Sequence, residues 1–173
     1  AKKAKEGGAS RMCLGAAWRE VKDNRDFDNV LEMVRGINEM DMEVCCTLGM
    51  LNDEQAQRLK DAGLYAYNHN IDTSEEKYED IISTRKFSDR LDTHKSVRKA
   101  GVSLCSGGII GLGEEKKDRI NMLITLANYP KHPESVPINT LVPVEGTPLA
   151  ENDRVPSWDL IKMVSIARIM MPE

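Results

Sequence analysis

The feature that most constrains the fold of this chain is an alternation of short apolar runs with longer segments of helical periodicity. The runs that predict strands are RMCLGA (11–16), EVCCTL (43–48), YAYNHNI (65–71), VSLCSG (102–107) and VPINTL (136–141). The segments that predict helices lie near 27–40, 53–62, 75–82, 88–100, 115–128 and 157–170. This alternation is typical of βαβ units around a parallel sheet. Its repeat is close to the roughly 30 residues per unit of an eightfold β/α barrel.

Two α/β layouts are compatible with this rhythm, a doubly wound sheet and a barrel. A doubly wound sheet needs a glycine-rich phosphate turn after its first strand, and the segment CLGAAWREV does not supply one. We therefore predict an α/β chain that forms a partial (β/α)8 TIM-type barrel, as a single domain over residues 1–173 that is truncated at both ends. Missing strands leave unpaired sheet edges, so we do not expect the chain to fold well alone.

The composition argues against nucleic acid and membranes as partners. The formal net charge of −4 provides no overall basic field, and the Lys and Arg residues form no single block. No apolar run approaches the ~20 residues of a membrane span, and no signal peptide precedes Ala1. We therefore expect a soluble intracellular protein, cytoplasmic, or mitochondrial in a eukaryote. The four cysteines are then expected as reduced thiols or metal ligands.

The adjacent cysteines of EVCCTLG must point to opposite faces of their strand, because side chains alternate along a strand. By this alternation Cys45 shares a polar face with Cys13 and Cys105, whereas Cys46 belongs with the helix-facing apolar residues. A row of small and polar groups on an inner face indicates a bound ligand. A single cysteine is more often a small buried hydrophobe. Three on one face suit zinc or an iron–sulfur cluster, and their spacing does not choose between these.

Seven segments of the chain match one family in order, from about Ser10 onward: RMCLGAAW, VCCTLG, YNHNIDTSEEKY, RLDTHKSVRKAG, LCSGGIIGLGE, PESVPINTLVPVEGTPLAENDRV and IARIMMP. On these segments the chain resembles biotin synthase, a family of radical S-adenosylmethionine enzymes. The resemblance implies a (β/α)8 barrel enzyme, usually a homodimer, that inserts sulfur into dethiobiotin to form biotin. It also implies a 4Fe-4S cluster that cleaves S-adenosylmethionine, a 2Fe-2S cluster that donates the sulfur, and a reductant such as flavodoxin or ferredoxin.

The resemblance also assigns roles to residues, and none of these residues is assigned as catalytic. The residues that correspond to ligands of the 2Fe-2S cluster are Cys13, Cys45 and Cys105. Asp72 corresponds to the carboxylate that holds the ribose of S-adenosylmethionine, and Arg90 to the residue that pairs with its methionine carboxylate. The residues that correspond to the adenine site are Gly107, Ile109, Gly111 and Glu114. The residues that correspond to contacts with dethiobiotin are Asn70 and Asn139.

Several of these residues also have a purely structural interpretation. Asn70 and Asp72 could cap the helix that follows them. Arg90 could be an exposed helix residue paired with a neighbouring aspartate, and Asn139 could bond the backbone of a neighbouring strand. Gly107 and its neighbour Gly108 could simply permit close backbone approach.

The match is incomplete in two respects. The C-x3-C-x2-C motif that holds the 4Fe-4S cluster in the family does not occur in the 173 residues. The family's fourth ligand to the 2Fe-2S cluster is an arginine on a later strand. We therefore interpret the chain as the central portion of such an enzyme, roughly strands two to six, and inactive alone. The alternatives are another radical S-adenosylmethionine barrel enzyme and a non-catalytic, cluster-binding remnant of a barrel.

Overall fold

The computed structural model describes residues 1–172, which alternate helices and strands as predicted. The helices are α1 (Lys2–Glu6), α2 (Arg25–Asn38), α3 (Asp53–Asp61), α4 (Glu75–Ile81), α5 (Phe87–Lys99), α6 (Lys116–Ala127) and α7 (Ser157–Met170). The strands are β1 (Arg11–Gly15), β2 (Glu43–Thr47), β3 (Ala66–Asn68), β4 (Ser103–Cys105), β5 (Gly108–Ile110) and β6 (Ile138–Thr140). Among the helices of these residues, none is long and apolar enough to cross a membrane.

Contacts divide the chain into two compact units, and the first comprises Ala1–His69 and Asp89–Leu104. Strands β1, β2, β3 and β4 follow one another in one sheet, in which β1 pairs with β2 and β2 with β3 in parallel. Helix α2 packs on this sheet through one apolar face, whose buried residues are Phe27, Val30, Leu31, Val34 and Ile37. These are the positions expected from helical spacing of three and four residues.

The first unit also shows how local sequence sets the helix ends. Asn24 begins α2, where its side chain accepts a hydrogen bond from the Phe27 N–H at 3.1 Å. Asn52 begins α3 through a reciprocal capping box with Gln55. Such caps satisfy backbone donors that have no partner inside the helix. The caps therefore fix the residues at which α2 and α3 begin.

The second unit comprises Asn70–Ser88 and the chain from Cys105 onward. Strands β5 and β6 pair in parallel, with Ile109 opposite Asn139. Two isolated bridges add Asp72 beside Gly108 and Cys105 beside Ser135. Helix α6 packs against α4 and α7, and α7 packs against β6. Strand β5 was absent from the sequence prediction, which ended the fourth strand at Gly107. The prediction of a single domain stays a prediction.

Candidate functional site

Two of the predicted cluster ligands lie side by side in the first unit. Cys13 in β1 and Cys45 in β2 are register partners, and residues opposite each other in a parallel pair project from the same face. Cys13 is exposed and Cys45 is buried. Cys46 has no solvent exposure, and burial together with the neighbouring thiols of Cys45 and Cys13 raises its pKa to about 12. Cys46 is therefore a protonated thiol at neutral pH.

The third predicted ligand belongs to the second unit. Cys105 is half-buried, whereas its chain neighbours Leu104 and Ser106 are fully buried, as expected for side chains that alternate between two faces. No disulfide involves any of the four cysteines, all of which lie within residues 1–172. Within that range no three His, Cys, Asp or Glu side chains form a ready site for a single metal ion. The three-cysteine ligand set stays a prediction.

Arg90 lies in a buried polar cluster of the first unit, so the interpretation of an exposed arginine is wrong. Arg90 is only 8% exposed, and its Nη1 donates to Nε2 of His69 at 3.3 Å. One turn further along α5, Nε2 of His94 donates to the carbonyl oxygen of His69 at 2.5 Å. Burial, with a smaller effect of the nearby Arg90 and Arg98, lowers the pKa of His94 to about 4. His94 is therefore neutral at physiological pH.

The segment after β3 is held by hydrogen bonds within the second unit. The side-chain Oδ1 of Asn70 accepts from the Gly107 N–H at 3.1 Å. Asp72 has a φ of 67°, and its carbonyl oxygen accepts from the Ile109 N–H at 2.8 Å. The cap of α4 is Ser74, so the interpretation of Asn70 and Asp72 as its caps is wrong. A positive φ is uncommon for a residue with a side chain, which indicates that the surrounding bonds impose it on Asp72.

The glycines of GGIIGLGE have packing reasons of their own. A Cβ at Gly107 would overlap the Pro137 carbonyl oxygen and lie 2.8 Å from its carbonyl carbon. A Cβ at Gly108 would lie 2.5 Å from the Asp72 carbonyl oxygen. The alternative of close backbone approach is thus confirmed for both. Gly111 has a φ of 99°, which is costly for any residue with a side chain.

Glu114 closes the loop that these glycines form. Its carboxylate accepts from the Gly111 N–H at 2.8 and 3.0 Å and from the Leu112 N–H at 2.6 Å. Arg119 of α6 donates its Nε to the same carboxylate at 2.7 Å and its Nη1 to Asp159 of α7 at 3.1 Å. Sequence analysis missed Arg119 and Asp159, since two residues 40 positions apart carry no local signal of their pairing.

Two further predicted residues share one face of the small sheet. Ile109 and Asn139 are register partners in β5 and β6, where Ile109 is half-buried and Asn139 is exposed. Ile110, which points to the opposite face, is fully buried. The second unit therefore brings a predicted adenine contact next to a predicted substrate contact.

Family models match most of the chain. The model described as "Radical SAM superfamily" matches residues 1–127, and the model described as "Biotin and Thiamin Synthesis associated domain" matches residues 137–173.

Curated relatives are similar over nearly the whole chain. The protein named biotin synthase in Cytophaga hutchinsonii is 62% identical over 170 residues, which are 98% of this chain and 50% of that protein. The biotin synthase of Christiangramia forsetii is 64% identical over 171 residues, 99% of this chain and 47% of that protein. The chain thus spans about half the length of the curated relatives it matches.

Solved structures share the fold at much lower identity. Methylornithine synthase (PylB) superposes with a TM-score of 0.85 at 20% identity over 98% of this chain and 50% of that chain. The hydrogenase maturase HydG superposes with a TM-score of 0.82 at 19% identity, over 99% of this chain and 41% of that chain. The predicted α/β fold with parallel strands, as part of a barrel, is confirmed. By the match of its first 127 residues, the chain belongs to the radical S-adenosylmethionine superfamily.

Proposed function

We propose that this chain is part of a biotin synthase, which inserts sulfur into dethiobiotin. The observation that carries the proposal is 62% and 64% identity to proteins of that name over nearly the whole chain. Membership of the superfamily implies an iron–sulfur cluster and S-adenosylmethionine as cofactors. The fold alone does not choose the reaction, because methylornithine synthase has a similar structure at 20% identity.

The donor chemistry of the polar faces suits the proposed 2Fe-2S cluster. Cys13 and Cys45 present two thiols from one face of a parallel pair, and Cys105 is on the more exposed face of its strand. Thiolates are the ordinary ligands of such clusters. In the proposed enzyme the 2Fe-2S cluster supplies the inserted sulfur, and the 4Fe-4S cluster with S-adenosylmethionine supplies a radical. The C-x3-C-x2-C motif that would hold the 4Fe-4S cluster does not occur in these 173 residues, and in the proposed enzyme the fourth ligand of the 2Fe-2S cluster is an arginine on a later strand.

The proposed contacts with S-adenosylmethionine are supported by the charge and burial of Arg90 and by the chemistry of the other side chains. Arg90 offers a guanidinium in a buried polar setting, where its attraction to a carboxylate is less screened than in water. Asp72 offers a carboxylate for ribose hydroxyls. In the proposed adenine site Ile109 supplies apolar surface, while Gly107, Gly111 and Glu114 shape the backbone around it.

The two proposed substrate amides differ in what they can still offer to a ligand. The Oδ1 of Asn70 already accepts from the Gly107 N–H at 3.1 Å. We therefore assign its NH2 group as a donor to the ureido oxygen of dethiobiotin. The exposed Asn139 offers both a donor and an acceptor, which suits the N–H and C=O groups of the ureido ring.

The proposal includes the partners of the whole enzyme. The enzyme would bind dethiobiotin and S-adenosylmethionine, form a homodimer, and receive electrons from a flavodoxin or ferredoxin. Because the relatives are bacterial proteins, the proposal places the enzyme in the cytoplasm.

Anaerobic reconstitution of the full-length protein with iron and sulfide tests the proposal. Parent protein should show the visible absorption of a 2Fe-2S centre and form biotin from dethiobiotin with S-adenosylmethionine and a reductant. Cys13→Ala, Cys45→Ala and Cys105→Ala should each lose that absorption. Cys46→Ala is the matched control and should keep it, because Cys46 faces the apolar side of β2.

Two outcomes would contradict the proposal. Reconstituted parent protein that cleaves S-adenosylmethionine but forms no biotin would favour another radical enzyme of this fold. Equal loss of the absorption in Cys46→Ala and Cys45→Ala would show that the two cysteines are not divided between the faces as proposed.

A further inference from the structure

His69, which directly follows β3, is hydrogen-bonded by two side chains of α5. Its ring Nε2 accepts from Nη1 of Arg90 at 3.3 Å, and its carbonyl oxygen accepts from Nε2 of His94 at 2.5 Å. Arg90 and His94 are four positions apart, so they lie on the same face of the helix. His69, Arg90 and His94 are all buried. Helix α5 is therefore held to His69 by polar contacts on one of its faces.

These bonds fix the proton positions on both rings. A guanidinium can only donate, so Nε2 of His69 must accept, and a neutral His69 ring then carries its proton on Nδ1. A carbonyl oxygen can only accept, so Nε2 of His94 carries a proton. The two rings meet edge to face, with centroids 5.8 Å apart. His69 is thus held as an acceptor in a fixed orientation toward Arg90.

We propose that His69 is a positioning residue for S-adenosylmethionine binding, because it orients the guanidinium of Arg90 toward the methionine carboxylate. This inference rests on the proposed function, in which Arg90 pairs with that carboxylate. A guanidinium has five N–H donors in a planar fork, so one bond to His69 is compatible with a bidentate bond to a carboxylate. A long side chain that is already oriented loses less entropy when the ligand binds.

The inference makes a prediction that is specific for one group of the ligand. If His69 acts only through Arg90, its loss should weaken binding of S-adenosylmethionine but not of decarboxylated S-adenosylmethionine, which lacks the carboxylate. A general defect of the fold would weaken both ligands alike. The comparison therefore separates positioning from structural damage.

Equilibrium dialysis on the anaerobically reconstituted full-length protein provides the test. His69→Leu should bind S-adenosylmethionine about tenfold more weakly than the parent, the size expected for losing one hydrogen bond to a charged group. Its affinity for decarboxylated S-adenosylmethionine should be unchanged. His69→Gln keeps an acceptor oxygen and should restore most of the loss. Arg90→Ala should show the same ligand-specific loss, and adding His69→Leu to it should cause no further loss.

Ser96→Ala is the matched control on the same helix. The Ser96 hydroxyl donates to Asp53 at 2.7 Å, away from β3, so this variant should bind both ligands like the parent. Equal weakening of both ligands in His69→Leu and His69→Gln would overturn the inference, as would no weakening of either. If Arg90→Ala weakens both ligands equally, the assigned carboxylate contact is wrong and the inference fails with it. A parent protein that binds no S-adenosylmethionine would instead overturn the proposed function itself.

Discussion

Replacement of Arg119 by methionine should destabilise the protein strongly, because it leaves a buried carboxylate without its cation. The Glu114 side chain is 2% exposed and that of Arg119 is 16% exposed, and the two groups meet at 2.7 Å. Removal of one partner from such a pair costs about 3–5 kcal/mol. The Gly111 and Leu112 N–H groups still bond the carboxylate after the change. We therefore expect a loss near the lower limit, about 3 kcal/mol in the free energy of unfolding.

Urea unfolding of the full-length protein measures this loss, and a double-mutant cycle isolates the ion pair. Glu114→Gln should also be destabilising, and Arg119→Met combined with Glu114→Gln should be less destabilising than the sum, with a coupling of about 2 kcal/mol. Asp159→Asn is the control, since the Asp159 side chain is 30% exposed and should contribute less than about 1 kcal/mol. A loss below about 0.5 kcal/mol in Arg119→Met, the size of an ordinary surface change, would refute this reasoning.

Three further predictions follow from single residues. Burial lowers the pKa of His94 to about 4 in the folded state. The free energy of unfolding should therefore fall as pH drops from about 6.5 toward 4, because only the unfolded chain binds the extra proton in this range. In urea titrations, His94→Gln should remove this part of the pH dependence. Gly107→Ala should lower the unfolding free energy by about 3 kcal/mol, because the added Cβ overlaps the Pro137 carbonyl; wild-type stability would contradict this. Gly36→Ala within α2 meets no atom within 4 Å and should raise the thermal midpoint, with a gain of about 0.5–1 kcal/mol.

The strand faces could be predicted from the sequence because side chains alternate with a period of two. The alternation puts Tyr67, His69 and Ile71 on one face, and all three are buried. The alternation also places Cys13 and Cys45 on one face, which their register confirms. Strand β5 was missed because Gly107 and Gly108 indicate a break in a strand. In the fold the same glycines allow the backbones of neighbouring segments to approach closely.

The buried face of α5 could not be recognised, because it consists largely of polar residues. Arg90, Thr93, His94 and Val97 are all buried at helical spacing, and only the last is apolar. A periodic pattern of hydrophobic residues is therefore absent, and Arg90 was compatible with an exposed position. Its buried guanidinium bonds His69, which directly follows β3, and the 21 positions between the two residues conceal this pairing in the sequence.

Glu114, a residue of the proposed adenine site, has its carboxylate bonded within its own loop and to Arg119. Its carboxylate oxygens accept from two backbone N–H groups and from Arg119, so most of their acceptor capacity is used within the loop. Gly111, whose N–H it binds, has a φ of 99°. Because the carboxylate holds this backbone conformation, we expect Glu114 to shape the proposed adenine site through the loop and not by direct contact. Glu114→Gln should then weaken adenine binding only by loosening the loop, because no direct contact between Glu114 and adenine is lost.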